Sequence, residues 1–171
     1  VEKNGGNLNR IKDRDLEIYQ NLRVSFLHQI VNGYLFENKY EMATFYIKRM
    51  LSEGEYGKFE LFESTAYYLL GMSYIHAKKG EEALNNFQRG YEIYQRQSLK
   101  KQPYEYFRFF NGMSNAYSIL KDYDRMIQIN DSLQILIDAE HQETKSEGPY
   151  YHMVNFVICY ETALALIKTE N

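Results

Sequence analysis

Apolar residues recur every three or four positions in segment after segment of this chain, and this spacing constrains the fold more than any other feature. A helical turn of about 3.6 residues places such residues on one face of an amphipathic helix. No segment alternates apolar and polar residues as a half-buried strand does, so the spacing predicts an all-α protein. The first segment shows the pattern at Leu16, Tyr19, Leu22, Phe26, Ile30 and Tyr34.

Breaks in the spacing divide the chain into about seven antiparallel helices. Asp13 is a suitable N-cap for the first helix, so residues 1–12 are expected to form a frayed lead-in. Gly80 is expected to separate the third helix from the fourth. Pro103 and Pro149 stand where helices tolerate proline, in the first turn. The helices after the first are predicted at about 40–51, 60–78, 81–99, 103–120, 123–139 and 150–168.

The helices also pair into a unit that recurs along the chain. Its clearest copy contains the small residues Gly71 and Ala83, which allow the two helices of a hairpin to approach each other. The copies begin near Val24, Ser64 and Phe107, at spacings of 40 and 43 residues. The register comprises Leu27, Ile30, Val31, Tyr34, Tyr40, Ala43, Ile47 and Met50; Tyr67, Leu70, Gly71, Tyr74, Ala83, Phe87 and Gly90; and Phe110, Met113, Ser114, Tyr117, Tyr123, Met126, Asn130 and Leu133.

The middle copy resembles the tetratricopeptide repeat (TPR), a helix–turn–helix unit of about 34 residues. The resemblance implies a right-handed α-α superhelix, a TPR-like solenoid, in a bacterial TPR-like protein or a fragment of one. It places repeats at about 24–57, 64–97 and 107–140 within a single array over 13–171. The last helix, 150–168, is then either a cap or half of a fourth repeat.

The last helix is apolar on several sides, which favours packing on two of them. The residues after it, Lys168 to Asn171, resemble a turn that leads into a partner helix. We therefore expect the sequence to stop within a fourth repeat, with a natural end and a closed core as the alternative. The apolar positions are Val157, Ile158, Leu164 and Ile167.

The charge balance argues against nucleic acid as a partner. The chain has 20 Lys and Arg against 23 Asp and Glu, a net charge of −3, whereas domains that bind nucleic acid are typically basic. No run of about 18 apolar residues occurs, so we expect no membrane span in this segment. The sequence favours a cytoplasmic location, and a periplasmic one fits if a signal peptide was removed before Val1.

Signatures of catalysis are missing from the sequence. It contains no GxGxxG, no phosphate-binding loop, no GxSxG and no HExxH motif. Cys159 follows three apolar residues and is expected to be a buried structural thiol. We therefore expect no enzymatic activity, no cofactor and no metal site. The histidines are scattered without helical pairing, at His28, His76, His141 and His152.

The resemblance points to a groove as the functional surface, because the first helices of successive tetratricopeptide repeats line one. The positions it selects here carry rings, a thioether and amides, which suit a peptide whose main chain hydrogen-bonds to asparagine. Any one of them would also suit a packed or solvated helix face. The candidate peptide-binding residues are His28, Asn32, Phe36, Tyr68, Met72, His76, Arg108, Asn111 and Asn115.

Three functions fit these observations. The first is a non-catalytic scaffold that binds a protein or peptide ligand along the concave face of the array. The second is a regulatory or sensor input segment of a larger bacterial signalling protein or transcription regulator. The third is a self-association module, in which the apolar C-terminal helix forms a homodimer.

Overall fold

The computed structural model describes residues 5–54, 60–96, 103–144 and 149–169, and within these ranges the chain forms seven α-helices and no strand. The all-α prediction is confirmed. Both prolines take the first position of a helix, as their sequence context predicted. The helices are α1 (Gly5–Phe36), α2 (Tyr40–Gly54), α3 (Glu60–His76), α4 (Gly80–Arg96), α5 (Pro103–Leu120), α6 (Tyr123–Thr144) and α7 (Pro149–Thr169).

The helices stack in chain order as an open array. Each helix packs against the next one in the sequence, and odd-numbered helices also contact one another: α1 with α3, α3 with α5 and α5 with α7. The even-numbered helices make no such contacts with one another in the part of the chain that the structure describes. The odd-numbered helices are therefore the more closely spaced layer, and the array curves with this inner layer on its concave side.

Three hairpin turns share one backbone conformation. Asn38, Lys78 and Lys121 adopt the left-handed region, with φ angles of 58°, 57° and 58°. In each turn the following residue donates its N–H to a carbonyl five residues earlier, the Schellman arrangement that ends many helices. The turns are 40 and 43 residues apart, as are the copies of the sequence repeat. The bonds are Lys39 N to Tyr34 O (2.8 Å), Lys79 N to Tyr74 O (2.9 Å) and Asp122 N to Tyr117 O (3.0 Å).

The turn between α3 and α4 corrects one prediction. Gly80, expected to separate the helices, is instead the buried first residue of α4, and Lys78 takes the left-handed conformation. A Cβ atom at Gly80 would lie 2.7 Å from Leu120 Cγ and 3.1 Å from the Ala116 carbonyl oxygen. The glycine is thus needed for the close approach of α4 to α5 and not for the turn.

The first helix also begins earlier than predicted. It is helical from Gly5, so residues 5–12 of the expected lead-in lie inside α1 and Asp13 lies in its interior instead of at its N-cap. No proline interrupts this part of the sequence, and extending an existing helix adds a hydrogen bond for each residue that it orders. Residues 1–4, and the predicted end of the fourth helix at 97–99, lie outside the described residues.

The core is centred on Phe87 of α4. Its ring is 0% exposed and lies between Gly71 of α3 and Gly112 of α5. A Cβ atom at either glycine would lie 2.6 Å from a Phe87 ring carbon, so both backbones touch the ring only because these residues have no side chain. One ring therefore joins two inner helices that belong to successive repeats.

Aromatic rings extend this core along the interface of α4 and α5. Tyr91 and Tyr94 of α4 pack against Tyr106, Phe109 and Phe110 of α5 with ring centroids 5.2 to 6.3 Å apart. Three of the five pairs meet edge to face, an arrangement that aromatic quadrupoles favour, and the other two are tilted. The high aromatic content of the chain is thus largely structural at this interface.

The last helix is attached through polar as well as apolar contacts. Its buried side chains are Val154, Ile158 and Ala165. Burial raises the pKa of Glu161, which accepts a hydrogen bond from Ser114 of α5 that acts in the opposite direction. Polar contacts with α5 and α6 include Ser114 Oγ to Glu161 Oε2 (2.7 Å), Asn130 Nδ2 to Thr162 Oγ1 (3.3 Å), Gln134 Nε2 to Asn155 Oδ1 (2.7 Å) and Tyr151 OH to Asp138 Oδ1 (3.3 Å).

Gly112→Ala is expected to destabilise the fold by about 1–3 kcal/mol, because the new methyl group overlaps the ring of Phe87. Gly33→Ala is the matched control, since Gly33 is also helical but no heavy atom lies within 4 Å of a Cβ built there. That variant should gain up to about 1 kcal/mol from helix propensity alone. Urea unfolding measures both, and equal effects of the two substitutions would contradict the packing of Phe87.

Glu161→Gln tests the buried carboxyl group. Since the folded-state pKa lies above 4.5, folding is favoured by protonation, and the stability that depends on Glu161 rises as the pH falls through the folded pKa toward 4.5. The charged form at pH 7 is correspondingly unfavourable. The variant should be more stable than the parent at pH 7 and differ less from it near pH 4.5. Urea unfolding at both pH values checks this, and a constant difference between the two proteins would contradict it.

Candidate functional site

A cleft of about 480 Å³ opens on the inner layer between α1 and α3. Five of the nine predicted site residues line it, so the structure brings together most of the candidates from the first two repeats. Tyr68 and Met72 come from one face of α3, and Leu35 and Phe36 come from the last turn of α1. The complete lining is Asn32, Leu35, Phe36, Asn38, Tyr68, Leu69, Met72 and His76.

The lining of the cleft is mostly apolar and includes three polar side chains, those of Asn32, Asn38 and His76. Phe36 is 90% exposed beside it, which is unusual for a phenylalanine in a folded chain. Leu35, Tyr68 and Met72 are half-buried and continue the apolar surface. Asn32 is exposed, and its side-chain amide can both donate and accept hydrogen bonds.

His76 also lines the cleft and contacts the first residue of α2. Its ring stacks on Tyr40 with centroids 5.1 Å apart and planes 6° apart. The Tyr40 hydroxyl donates a 2.5 Å hydrogen bond to Asn38 Oδ1. The left-handed turn residue Asn38 therefore orients two rings at the edge of the cleft, a role that the repeat pattern of the sequence did not reveal.

His28 lies one helical turn before Asn32 and does not line the cleft. Its Nε2 atom is 3.4 Å from Asn32 Nδ2, so the neutral ring can accept a hydrogen bond from that amide. Burial lowers the pKa of His28, and the nearby Arg108 guanidinium lowers it further. The imidazole is therefore neutral at pH 7, and it orients Asn32 without adding a charge to the groove.

Arg108, another predicted site residue, does not line the cleft. Its side chain is only 11% exposed, and Nε lies 2.7 Å from Glu105 Oε2. The guanidinium carbon lies 4.8 Å from the ring centroid of Tyr68 and 4.9 Å from that of Phe109, and Nη2 donates to Thr65 Oγ1 at 3.3 Å. Arg108 thus ties α5 to α3 and packs against the ring of Tyr68.

The third repeat does not contribute to the cleft. Asn111 is half-buried on α5, and exposed Asn115 donates its side-chain amide to the Asn111 carbonyl at 2.9 Å. Both residues lie on the inner layer but outside the cleft between α1 and α3. The lining residue Leu69 was not predicted, because its 4% exposure depends on how α3 is rotated within the array.

Cys159 corrects a further expectation, because it is exposed and not buried. The apolar residues before it in the sequence do not share one environment: Ile158 is buried, whereas Phe156 is 71% exposed. In the described ranges, no group of three or more His, Cys, Asp or Glu side chains is placed to hold a metal ion. Nor does any helix described here combine the length and apolarity that crossing a bilayer requires.

Comparisons of the chain with protein-family models, with curated proteins and with solved structures found no match. The resemblance to tetratricopeptide repeats therefore stays a prediction from the residues. What the structure shows is the fold class, an all-α array in which helical hairpins stack on one another.

Arg108→Ala is expected to cost about 2 kcal/mol of stability, because it leaves the largely buried Glu105 carboxylate without its cation and Tyr68 without its support. Arg89→Ala is the control, since the Arg89 side chain is 49% exposed and its ion pair with Glu92 spans 3.6 Å. The control should change stability by less than about 0.5 kcal/mol. Urea unfolding of both variants checks the assignment, which equal losses would contradict.

Proposed function

We propose that this protein is a non-catalytic scaffold that binds a protein or peptide ligand in the cleft between α1 and α3. The observation that carries the proposal is the cleft itself, a mostly apolar recess of about 480 Å³ on the inner layer that also includes the polar side chains of Asn32, Asn38 and His76. Such a recess with a few convergent polar groups is the usual form of a binding site. The tetratricopeptide-like register supports the proposal, because arrays of that kind bind peptides along their inner helices.

The lining residues define how a ligand segment would bind. An apolar ligand side chain would pack between Met72 and Tyr68, where the flexible thioether adapts to different shapes. Phe36 would close over it and lose its exposure to water, a favourable term of roughly 2 kcal/mol for a fully buried ring. Asn32 and His76 would hydrogen-bond the ligand main chain.

A regulatory role would use the same cleft. In a sensor or input segment of a larger bacterial signalling protein or transcription regulator, ligand binding between α1 and α3 would be the signal. The hairpin turn at Asn38 joins the cleft to α2. Closure of the cleft around a ligand would therefore also move α2 in the outer layer.

The cleft is tested by selecting peptides from a displayed random library on the immobilised protein and measuring affinities by fluorescence anisotropy. Met72→Glu and Phe36→Ala should each weaken binding at least about tenfold, because they remove apolar surface at the centre of the contact. Ile135→Ala is the control, since Ile135 is 69% exposed but lies on α6 in the outer layer. If the selected peptides bind Met72→Glu and Phe36→Ala as tightly as they bind the parent, the cleft is not the peptide-binding site.

Self-association is a second candidate function, and the exposed side of α7 favours it. Large apolar residues remain accessible there, including Phe156 at 71% and Tyr160 at 57%. Exposed apolar surface of this extent on a folded chain commonly marks an interface. A second copy of the chain is a ready partner for this surface, because any solution of the protein contains it.

A further inference from the structure

The two sides of α7 have different environments. One side packs into the array through Val154, Ile158 and Ala165. The other carries a stripe of apolar residues, which we call the α7 stripe. Successive residues of a helix are rotated by about 100° around its axis, and on this basis all members of the stripe lie within about 60° of Tyr160. They are Met153, Phe156, Val157, Tyr160, Ala163, Leu164 and Ile167.

The α7 stripe is symmetric about Tyr160. Its other members stand three, four and seven residues before Tyr160 and the same distances after it. If the helix is turned end for end about Tyr160, every apolar position falls on another apolar position. This spacing is the heptad arrangement that two packed helices require.

We propose that α7 pairs antiparallel with α7 of a second copy, about a two-fold axis that passes beside Tyr160. This rests on the self-association proposed above and specifies its geometry. Met153 of one copy meets Ile167 of the other, Phe156 meets Leu164, and the smaller Val157 and Ala163 allow the helices to approach. The pairing is isologous, so it closes after two copies.

Charge and area both suit this partner. No member of the α7 stripe carries a charge at neutral pH, so the two stripes themselves place no like charges against each other. The exposed parts of the side chains amount to roughly 500 Å² per copy, which gives about 1,000 Å² in a pair, near the lower limit of specific interfaces. Phe156 and Tyr160 are already stacked, with planes 12° apart, so part of the surface is ordered before pairing.

A second exposed apolar stripe lies on α1. It contains Ile18, Tyr19, Leu22, Phe26 and Ile30, which are 41 to 68% exposed. Ile18, Leu22, Phe26 and Ile30 stand four residues apart, so this stripe turns by about 40° around the helix at each step, whereas the three-and-four spacing of α7 stays close to one line. Packed helix pairs use the three-and-four spacing, which favours α7 as the helix that pairs with itself.

Pairing through α7 has a consequence for binding. The cleft lies between α1 and α3, at the opposite end of the array from α7. A dimer therefore presents two open clefts, and a ligand with two recognition segments would gain from binding both.

Sedimentation equilibrium over a range of concentrations tests whether the chain self-associates. We expect a dimer at about 100 μM, with association weakened at least about tenfold by Tyr160→Glu. Leu166→Asp is the control, because Leu166 is 49% exposed on the same helix but lies outside the α7 stripe. A parent protein that stays monomeric at this concentration overturns both self-association and the antiparallel pairing of α7. The proposal that a ligand binds in the cleft would be unaffected.

Cross-linking tests the geometry, using Cys159 as the native probe. Antiparallel pairing places the two Cys159 side chains about one interhelical distance apart, roughly 10 Å, within reach of a short bis-maleimide. In a Cys159→Ser, Lys168→Cys protein the two thiols would lie about 24 Å apart along the axis, beyond the same reagent. Cross-linking of the parent, without cross-linking of the Cys159→Ser, Lys168→Cys protein, supports the proposal. A dimer that cross-links only through position 168, or that Tyr160→Glu does not weaken, overturns the antiparallel pairing while self-association stands.

Discussion

The contact of Phe87 with two glycines is the constraint on which the array depends. Its ring fills the space between α3 and α5, and Gly71 and Gly112 allow the two backbones to approach it from opposite sides. Because one side chain of the outer layer sets the distance between two inner helices, the curvature of the array follows from this contact. The ring of Tyr68, which lines the cleft, also packs against Phe87 with centroids 5.7 Å apart.

The corresponding positions in the other repeats explain where the array changes character. In the first repeat, Val31 stands in place of Gly71 and Ile47 in place of Phe87, and both are fully buried. A valine at the point of closest approach keeps backbones farther apart than a glycine does, and the cleft lies at this step. In the third repeat, Asn130 replaces the phenylalanine and bonds to Thr162, so α7 is attached by directional polar contacts. These contacts fix its rotation and thereby decide which of its sides faces outward.

The candidate site was predictable in part. Asn32, Phe36, Tyr68, Met72 and His76 line the cleft on the inner layer of the first two repeats, and the repeat register together with the resemblance to tetratricopeptide repeats selected all five. The spacing could not show that Arg108 forms an ion pair with Glu105 and packs against two aromatic rings. Residues on the same face of a helix can point either to a neighbouring helix or to a ligand. Nor could the spacing show that Asn38 orients the edge of the cleft, since the turn conformation depends on which residue ends the helix.

The sequence by itself determined the all-α class, the approximate helices and a repeat of 40 and 43 residues, because apolar spacing and small residues act locally and recur. Only the tertiary structure decided the rest. It extended α1 toward the N-terminus, moved the turn from Gly80 to Lys78 and gave Gly80 a packing role. It also exposed Cys159 and left one side of α7 accessible. The reason is that each of these outcomes depends on the distance and rotation between neighbouring helices, which side chains from different parts of the chain set together.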